Sequence, residues 1–182
     1  MVDKASLNTP ASAVFSETGR GKPVLAPPGP GSLYFNLSHC RGGVACALCA
    51  THDVGVDLET YDRRVNLKVA DRFFPPREAE QVRQAPVDRQ KEVFLDLWTL
   101  KEAYVKAGGE GLAIPLDSFA FDLSGDKIRL SFTDGAAPDP PWQFFRWRPE
   151  PGKTLAAAVQ AEEPVTFRTY HCTPFGEITD LA

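Results

Sequence analysis

The chain has 182 residues, 43% hydrophobic and 24% charged, which suits an ordinary soluble globular protein of one domain or two small lobes. A net charge of −4 argues against wholesale nucleic-acid binding, which calls for a basic face. No apolar run approaches the ~20 residues that span a bilayer, and MVDKASLNTPASAVFSETGR lacks the basic start and apolar core of a secretory signal, so no membrane partner is expected and the expected location is cytoplasmic.

Residues 1–32 are rich in Pro, Gly, Ser and Ala, and GKPVLAPPGPG cannot hold a regular element for long. From Leu33, LYFNLS, GVACALCA and DVGVDLE read as three strands, and the short breaks HCRGG and THD suit an antiparallel meander. Cys46 and Cys49 in CALC resemble half a zinc site or a redox pair. On a strand, however, residues three apart point to opposite faces, so buried, inert cysteines are the expected reading.

After Glu59 the pattern becomes helical. Leu67, Ala70 and Phe74 share helical spacing, and Pro76 suits a helix start. Asp88 can cap a longer helix whose apolar stripe is Val93, Leu97, Leu100 and Tyr104, with Gly108 just past its end. FAFDL, KIRLSF, WQFFRW, TLAAAV and TFRTY then read as short strands. Strands, helices, then strands again point to an α+β fold.

Three clusters carry possible chemistry. In GVDLE, alternation puts Gly55, Asp57 and Glu59 on one strand face, the two carboxylates about 6–7 Å apart. Such a pair is either a wet face or a hard-oxygen site for Mg²⁺. In WTLKEAYVKAGGEGL, Glu102 and Lys106 share a helix face with Trp98. They are either a helix-stabilising pair or a third carboxylate beside a cation for phosphates. In FNLSH, Asn36 and Ser38 share a face, with His39 at the strand's mouth, suited either to phosphate oxygens or to backbone partners. Lys22, in the stiff turn GKP, is not part of a P-loop.

The order GKP, FNLSH, GVDLE, RFFPPRE and WTLKEAYVKAGGEGL, spanning Gly21 to Leu112, resembles the 4′-phosphopantetheinyl transferase superfamily, and within it the surfactin-synthetase-activating type. The resemblance implies two similar lobes of antiparallel sheet packed with helices. They are expected here as an N-terminal lobe over 1–60, shortened because only 20 residues precede Gly21, and a C-terminal lobe over 61–182. It also implies transfer of the phosphopantetheine arm from coenzyme A to a serine of an acyl or peptidyl carrier protein, in fatty-acid, polyketide or nonribosomal-peptide synthesis. Adenosine 3′,5′-bisphosphate is the by-product.

The family's metal ligands fall on Asp57, Glu59 and Glu102, for Mg²⁺ with Mn²⁺ as a substitute. Its coenzyme A contacts fall on Lys22, Ser38, His39 and Lys106. Glu102 is expected to be the general base, directly or through a metal-bound water, and Lys106 to stabilise the leaving oxygen. The role of Lys101, about 100° around the helix from Glu102, stays open. Between Asp62 and Arg77, the cations Arg63, Arg64, Lys68, Arg72 and Arg77 outnumber Asp62 and Asp71. That stretch is either a ridge that steers an acidic carrier protein or an ordinary solvated helix. Two further readings are a shortened, non-catalytic relative that binds carrier protein or coenzyme A, and a metal-dependent phosphohydrolase.

Overall fold

The computed structural model describes residues 14–26, 33–109, 111, 114–125, 127–173 and 178–180. Residues 27–31 of the proline-rich run, and Glu110 and Leu112 of the last motif, lie outside them. The fold is α+β, with antiparallel sheets and three helices among the described residues.

The first strands are β1 (Val14–Glu17) and β2 (Pro23–Ala26), a short antiparallel pair whose second strand begins at the proline of GKP. Next come β3 (Tyr34–Cys40) and β4 (Gly43–Cys49), joined by a two-residue turn in which Gly42 has φ 79°. That conformation favours glycine.

The meander stops there. The third strand, β5 (Val54–Thr60), is not hydrogen-bonded to β4. It pairs with β9 (Lys153–Gln160), which pairs in turn with β8 (Trp142–Trp147), in the order β5-β9-β8. β5 closes the lobe expected over 1–60, yet its sheet partner lies beyond residue 150. The outer edge of β5 is served by side chains: Asn36 Oδ1 accepts from Val56 N–H at 2.9 Å, and Ser38 Oγ from Leu58 N–H at 3.1 Å. Alternate residues of β3 thus answer alternate amides of β5, and buried backbone donors are not left unpaired.

The helices are α1 (Lys68–Phe73), α2 (Pro76–Gln84) and α3 (Gln90–Gly108). Pro76 begins α2 as the sequence indicates. Asp88 does not cap α3, whose first turn follows Arg89 with no side-chain cap. α3 ends one residue later than expected, at left-handed Gly109 with φ 68°. It crosses the sheet on small residues: Ala103 and Ala107 of the helix face Ala156 and Ala158 of β9 in one core. Around them pack Leu97, Leu100, Tyr104 and Phe119, the last on β6 (Phe119–Asp122). A second, smaller cluster joins Val56 and Leu58 to Ala45.

The remaining hairpins are β6 with β7 (Arg129–Phe132), and β10 (Tyr170–Cys172) with β11 (Ile178–Asp180). Of TFRTY, only Tyr170 is in a strand.

The cysteine reading needs correction. β4 lies on β5 with one face only, so Cys46 is exposed and Cys49 half-buried; Cys40 is also half-buried and Cys172 exposed. All four are free thiols.

Candidate active site

From Phe94 to Ala107, α3 is buried at every residue except Trp98, Glu102 and Lys106, which are half-buried. They lie four residues apart on one narrow strip. Strand β5 runs beside that strip, because Gly55 has no side chain. A Cβ there would overlap the Ala103 carbonyl and the Ala107 amide, and would lie 2.9 Å from Ala107 Cα. The GVDLE glycine is therefore the point of closest approach between strand and helix, and it brings Asp57 and Glu59 beside Glu102 and Lys106.

Lys106 Nζ donates to Asp57 Oδ1 at 2.6 Å, Ser38 Oγ at 3.2 Å and the Val56 carbonyl at 3.3 Å. Ser38 Oγ in turn donates to Asp57 Oδ1 at 2.9 Å. One hydrogen-bonded cluster thus joins Ser38 of β3, Asp57 of β5 and Lys106 of α3. Glu59, two residues on, is paired with the Arg63 guanidinium, which stands 5.9 Å from the centre of the Trp98 ring.

The carboxylates strain against one another. Burial pushes the Glu102 carboxyl above its ordinary range, and the Asp57 charge pushes it further, against Lys106 and Arg63. Burial likewise raises Glu59, with Arg63 opposing and Asp57 adding. Asp57 Oδ2 is buried and accepts no hydrogen bond among the described residues. An orphaned carboxylate oxygen and two further carboxylates that feel the Asp57 charge are hard oxygen donors of the kind a divalent cation takes.

The three acids do not stand as a formed ligand cluster. Among the described residues, no three Asp, Glu, His or Cys side chains converge as one. The reason is local: Asp57 takes Lys106 as its partner and Glu59 takes Arg63.

The other expected contacts divide. Lys22 reaches the same side of the fold but is engaged. Its Nζ donates to Asp53 Oδ1 at 2.6 Å and to the Ala107 carbonyl at 3.0 Å, one of the carbonyls that the end of α3 leaves open. His39 is exposed on the face of β3 opposite Ser38, across from Val44. Lys101 is fully buried and ion-pairs with Glu78 at 2.8 Å, so it has no part in the cluster.

Sequence reasoning missed the roles of Asn36, Arg63 and Glu78. The i, i+2 spacing of Asn36 and Ser38 was the only visible signal for the first. On the basic stretch, Arg77 meets Asp122 at 3.6 Å and Arg72 lies 5.1 Å from the Phe73 ring, which is 40% exposed. Arg64 and Lys68 are exposed and form no ion pair among the described residues.

Comparison with known proteins completes the description. Residues 53–160, more than half the chain, match the family model for the 4′-phosphopantetheinyl transferase superfamily. The 4′-phosphopantetheinyl transferase HetI of Nostoc sp. is 35% identical over 82% of this chain and 62% of its own length. The transferase gsp of Aneurinibacillus migulanus is 35% identical over 97% of this chain and 65% of its own. For Sfp of Bacillus subtilis the values are 34%, 68% and 54%. The chain thus spans between half and two thirds of the length of these relatives.

Proposed function

Because the chain belongs to the 4′-phosphopantetheinyl transferase superfamily, of the Sfp type, we propose that it transfers the phosphopantetheine arm of coenzyme A to a serine of an acyl or peptidyl carrier protein. The observation that carries this reading is the polar cluster at the seam of α3 and β5. Lys106 and Ser38 both donate to Asp57 Oδ1, Glu102 lies close enough to feel the Asp57 charge, and Asp57 Oδ2 is buried without a partner among the described residues.

In the reaction, the carrier serine oxygen forms a bond to the β-phosphorus of coenzyme A. The bond from that phosphorus to the bridging oxygen breaks, and adenosine 3′,5′-bisphosphate leaves. Glu102 sits on the open strip of α3 and takes the serine proton. Lys106, its ammonium now on Asp57 and Ser38, supplies positive charge to the departing phosphate oxygen. Asp57, Glu59 and Glu102 would hold a divalent cation, Mg²⁺ or Mn²⁺. When bound, that ion would offset charge on the diphosphate. Lys22, Ser38 and His39 are proposed to contact coenzyme A, Ser38 being the one of the three bonded to Asp57.

The test is incubation with coenzyme A, Mg²⁺ and an apo carrier protein, followed by mass spectrometry of the products. A carrier heavier by one phosphopantetheine arm is the expected result. Cleaved coenzyme A with an unmodified carrier would point to a phosphohydrolase. Binding without reaction would point to a non-catalytic relative. Glu102→Gln is expected to abolish transfer while the far-UV spectrum and melting midpoint stay close to the parent's. A variant that kept full rate would remove Glu102 from the proposed role.

The carrier is proposed to approach over α1. Arg64, just before α1, and Lys68 at its start are exposed and form no ion pair among the described residues, Phe73 at its end is exposed, and Arg63 is paired with Glu59. A basic apolar surface of this kind attracts an acidic partner over a long range. Reversing charge in Arg64→Glu/Lys68→Glu should raise KM for an acidic carrier about tenfold, an effect screened by salt. KM for coenzyme A should hardly move. Equal changes in both constants would rule out this surface as the docking site.

A further inference from the structure

Besides the Lys106–Asp57 pair, two contacts between α3 and the β5 segment flank the carboxylates, one at Gly55 and one just past the end of the strand. At the first, Gly55 lies under Ala103 and Ala107, a contact of shape alone. At the second, Tyr61, two residues past Glu59, donates its phenol hydrogen to Asp96 Oδ1 at 2.8 Å. Asp96, Ala103 and Ala107 fall on one stripe of α3, so both contacts lie on the helix face turned to the sheet.

Asp96 is 6% exposed, and its other oxygen is fixed as well. Oδ2 accepts from Arg146 at 3.1 Å and from Arg148 at 3.2 Å, and the Arg148 guanidinium lies 5.5 Å from the centre of the Tyr61 ring. Tyr61 is held from behind, since its amide donates to the Gly152 carbonyl at 2.7 Å. The acids between the two points repel one another: Asp57 and Glu59 ride on the strand, Glu102 on the helix. The Gly55 crossing fixes how close helix and strand approach, with no polar bond of its own. Two directional ties oppose the opening that repulsion favours, Lys106 on Asp57 within the site and Tyr61 on Asp96 beyond Glu59.

We propose that Tyr61 and Asp96 are positioning residues, whose hydrogen bond sets the distance of Glu102 from Asp57 and Glu59 and so the affinity of the site for a divalent cation. The proposal rests on the cation site proposed above. Tyr61→Phe removes one oxygen and keeps the ring beneath Arg148. Mn²⁺ binding to the whole chain, without coenzyme A, can be followed by electron paramagnetic resonance, with thermal melts in parallel. Val82→Ala, in the core of α2 and away from the site, serves as a control for loss of stability.

The expected result is Mn²⁺ affinity about tenfold weaker in Tyr61→Phe and unchanged in Val82→Ala, although both melt lower than the parent. Unchanged affinity in Tyr61→Phe, or equal weakening in both variants, would reduce the bond to a structural one and overturn the proposal. If the parent itself failed to bind Mn²⁺, the cation site would fall, and the positioning role with it. That outcome is distinct from a parent that binds and a Tyr61→Phe variant that binds equally well.

Discussion

Gly55→Ala is expected to cost at least about 3 kcal/mol of stability, the upper end for overpacking, because the added methyl meets the backbone of α3. The obstructing atoms are the Ala103 carbonyl oxygen and the Ala107 amide, with Ala107 Cα 2.9 Å away. None belongs to a side chain that can rotate aside. The helix must lift, and it is pinned to the same sheet by Ala156 and Ala158, both fully buried. Lifting α3 also carries Glu102 and Lys106 away from Asp57. The variant should therefore unfold at a lower urea midpoint and lose transfer by more than its folded fraction explains. A Gly55→Ala protein with the parent's midpoint would mean that helix and strand are not packed as closely as described.

The same contact shows what the sequence could and could not disclose. GVDLE read correctly as an alternating strand with Asp57 and Glu59 on one face, and WTLKEAYVKAGG as a helix offering Glu102 and Lys106 together. Both follow from local periodicity, and the order of the motifs identified the family. What covers each face is a long-range fact. β5 pairs with β9, about a hundred residues later, and nothing in DVGVDLE distinguishes that partner from the adjacent β4. The glycine in GVDLE was legible only as a gap in the pattern. It became a cause once Ala103 and Ala107 were placed on top of it.

The cysteines failed for a related reason. GVACALCA has the composition of a strand buried on two faces, but β3 and β4 form a two-stranded sheet with one face against β5. Val44, Leu48 and Leu37 on the other face are more than half exposed. Composition reports how apolar a strand is, not how many neighbours it finds. Asp88 is a further case. A capping residue is a local preference, and here the turn from Pro86 to Gln90 is closed by backbone instead: the Arg89 and Gln90 amides both donate to the Pro86 carbonyl.

Lys101, next to Glu102 in the sequence and unlike it in every respect, gives the other large effect. Lys101→Met should destabilise the protein by about 3–5 kcal/mol, the cost of breaking a buried ion pair by removing one partner. Lys101 Nζ is wholly buried, 2.8 Å from Glu78 Oε2. It donates to the Leu116 carbonyl at 2.8 Å and the Phe119 carbonyl at 2.7 Å, and lies 4.2 Å from the centre of the Phe119 ring. Glu78 Oε1 accepts the Phe121 amide at 2.7 Å. This one charge pair joins α3, α2 and the start of β6. Burial already pushes the Glu78 carboxyl above its usual range, and the Lys101 charge is the largest force opposing that rise. Without Lys101 the folded-state value climbs further above the unfolded one. Stability is then fullest while Glu78 is protonated and is lost as pH rises through its folded value. Relative to the parent, Lys101→Met should therefore lose less stability at pH 5 than at pH 8, as read from urea midpoints at the two values. Adding Glu78→Gln should recover part of the loss at pH 8, since the amide still accepts from Phe121 and carries no charge. A Lys101→Met protein whose deficit was the same at both pH values, and was not relieved by Glu78→Gln, would show that the ion pair is not what binds the three elements together.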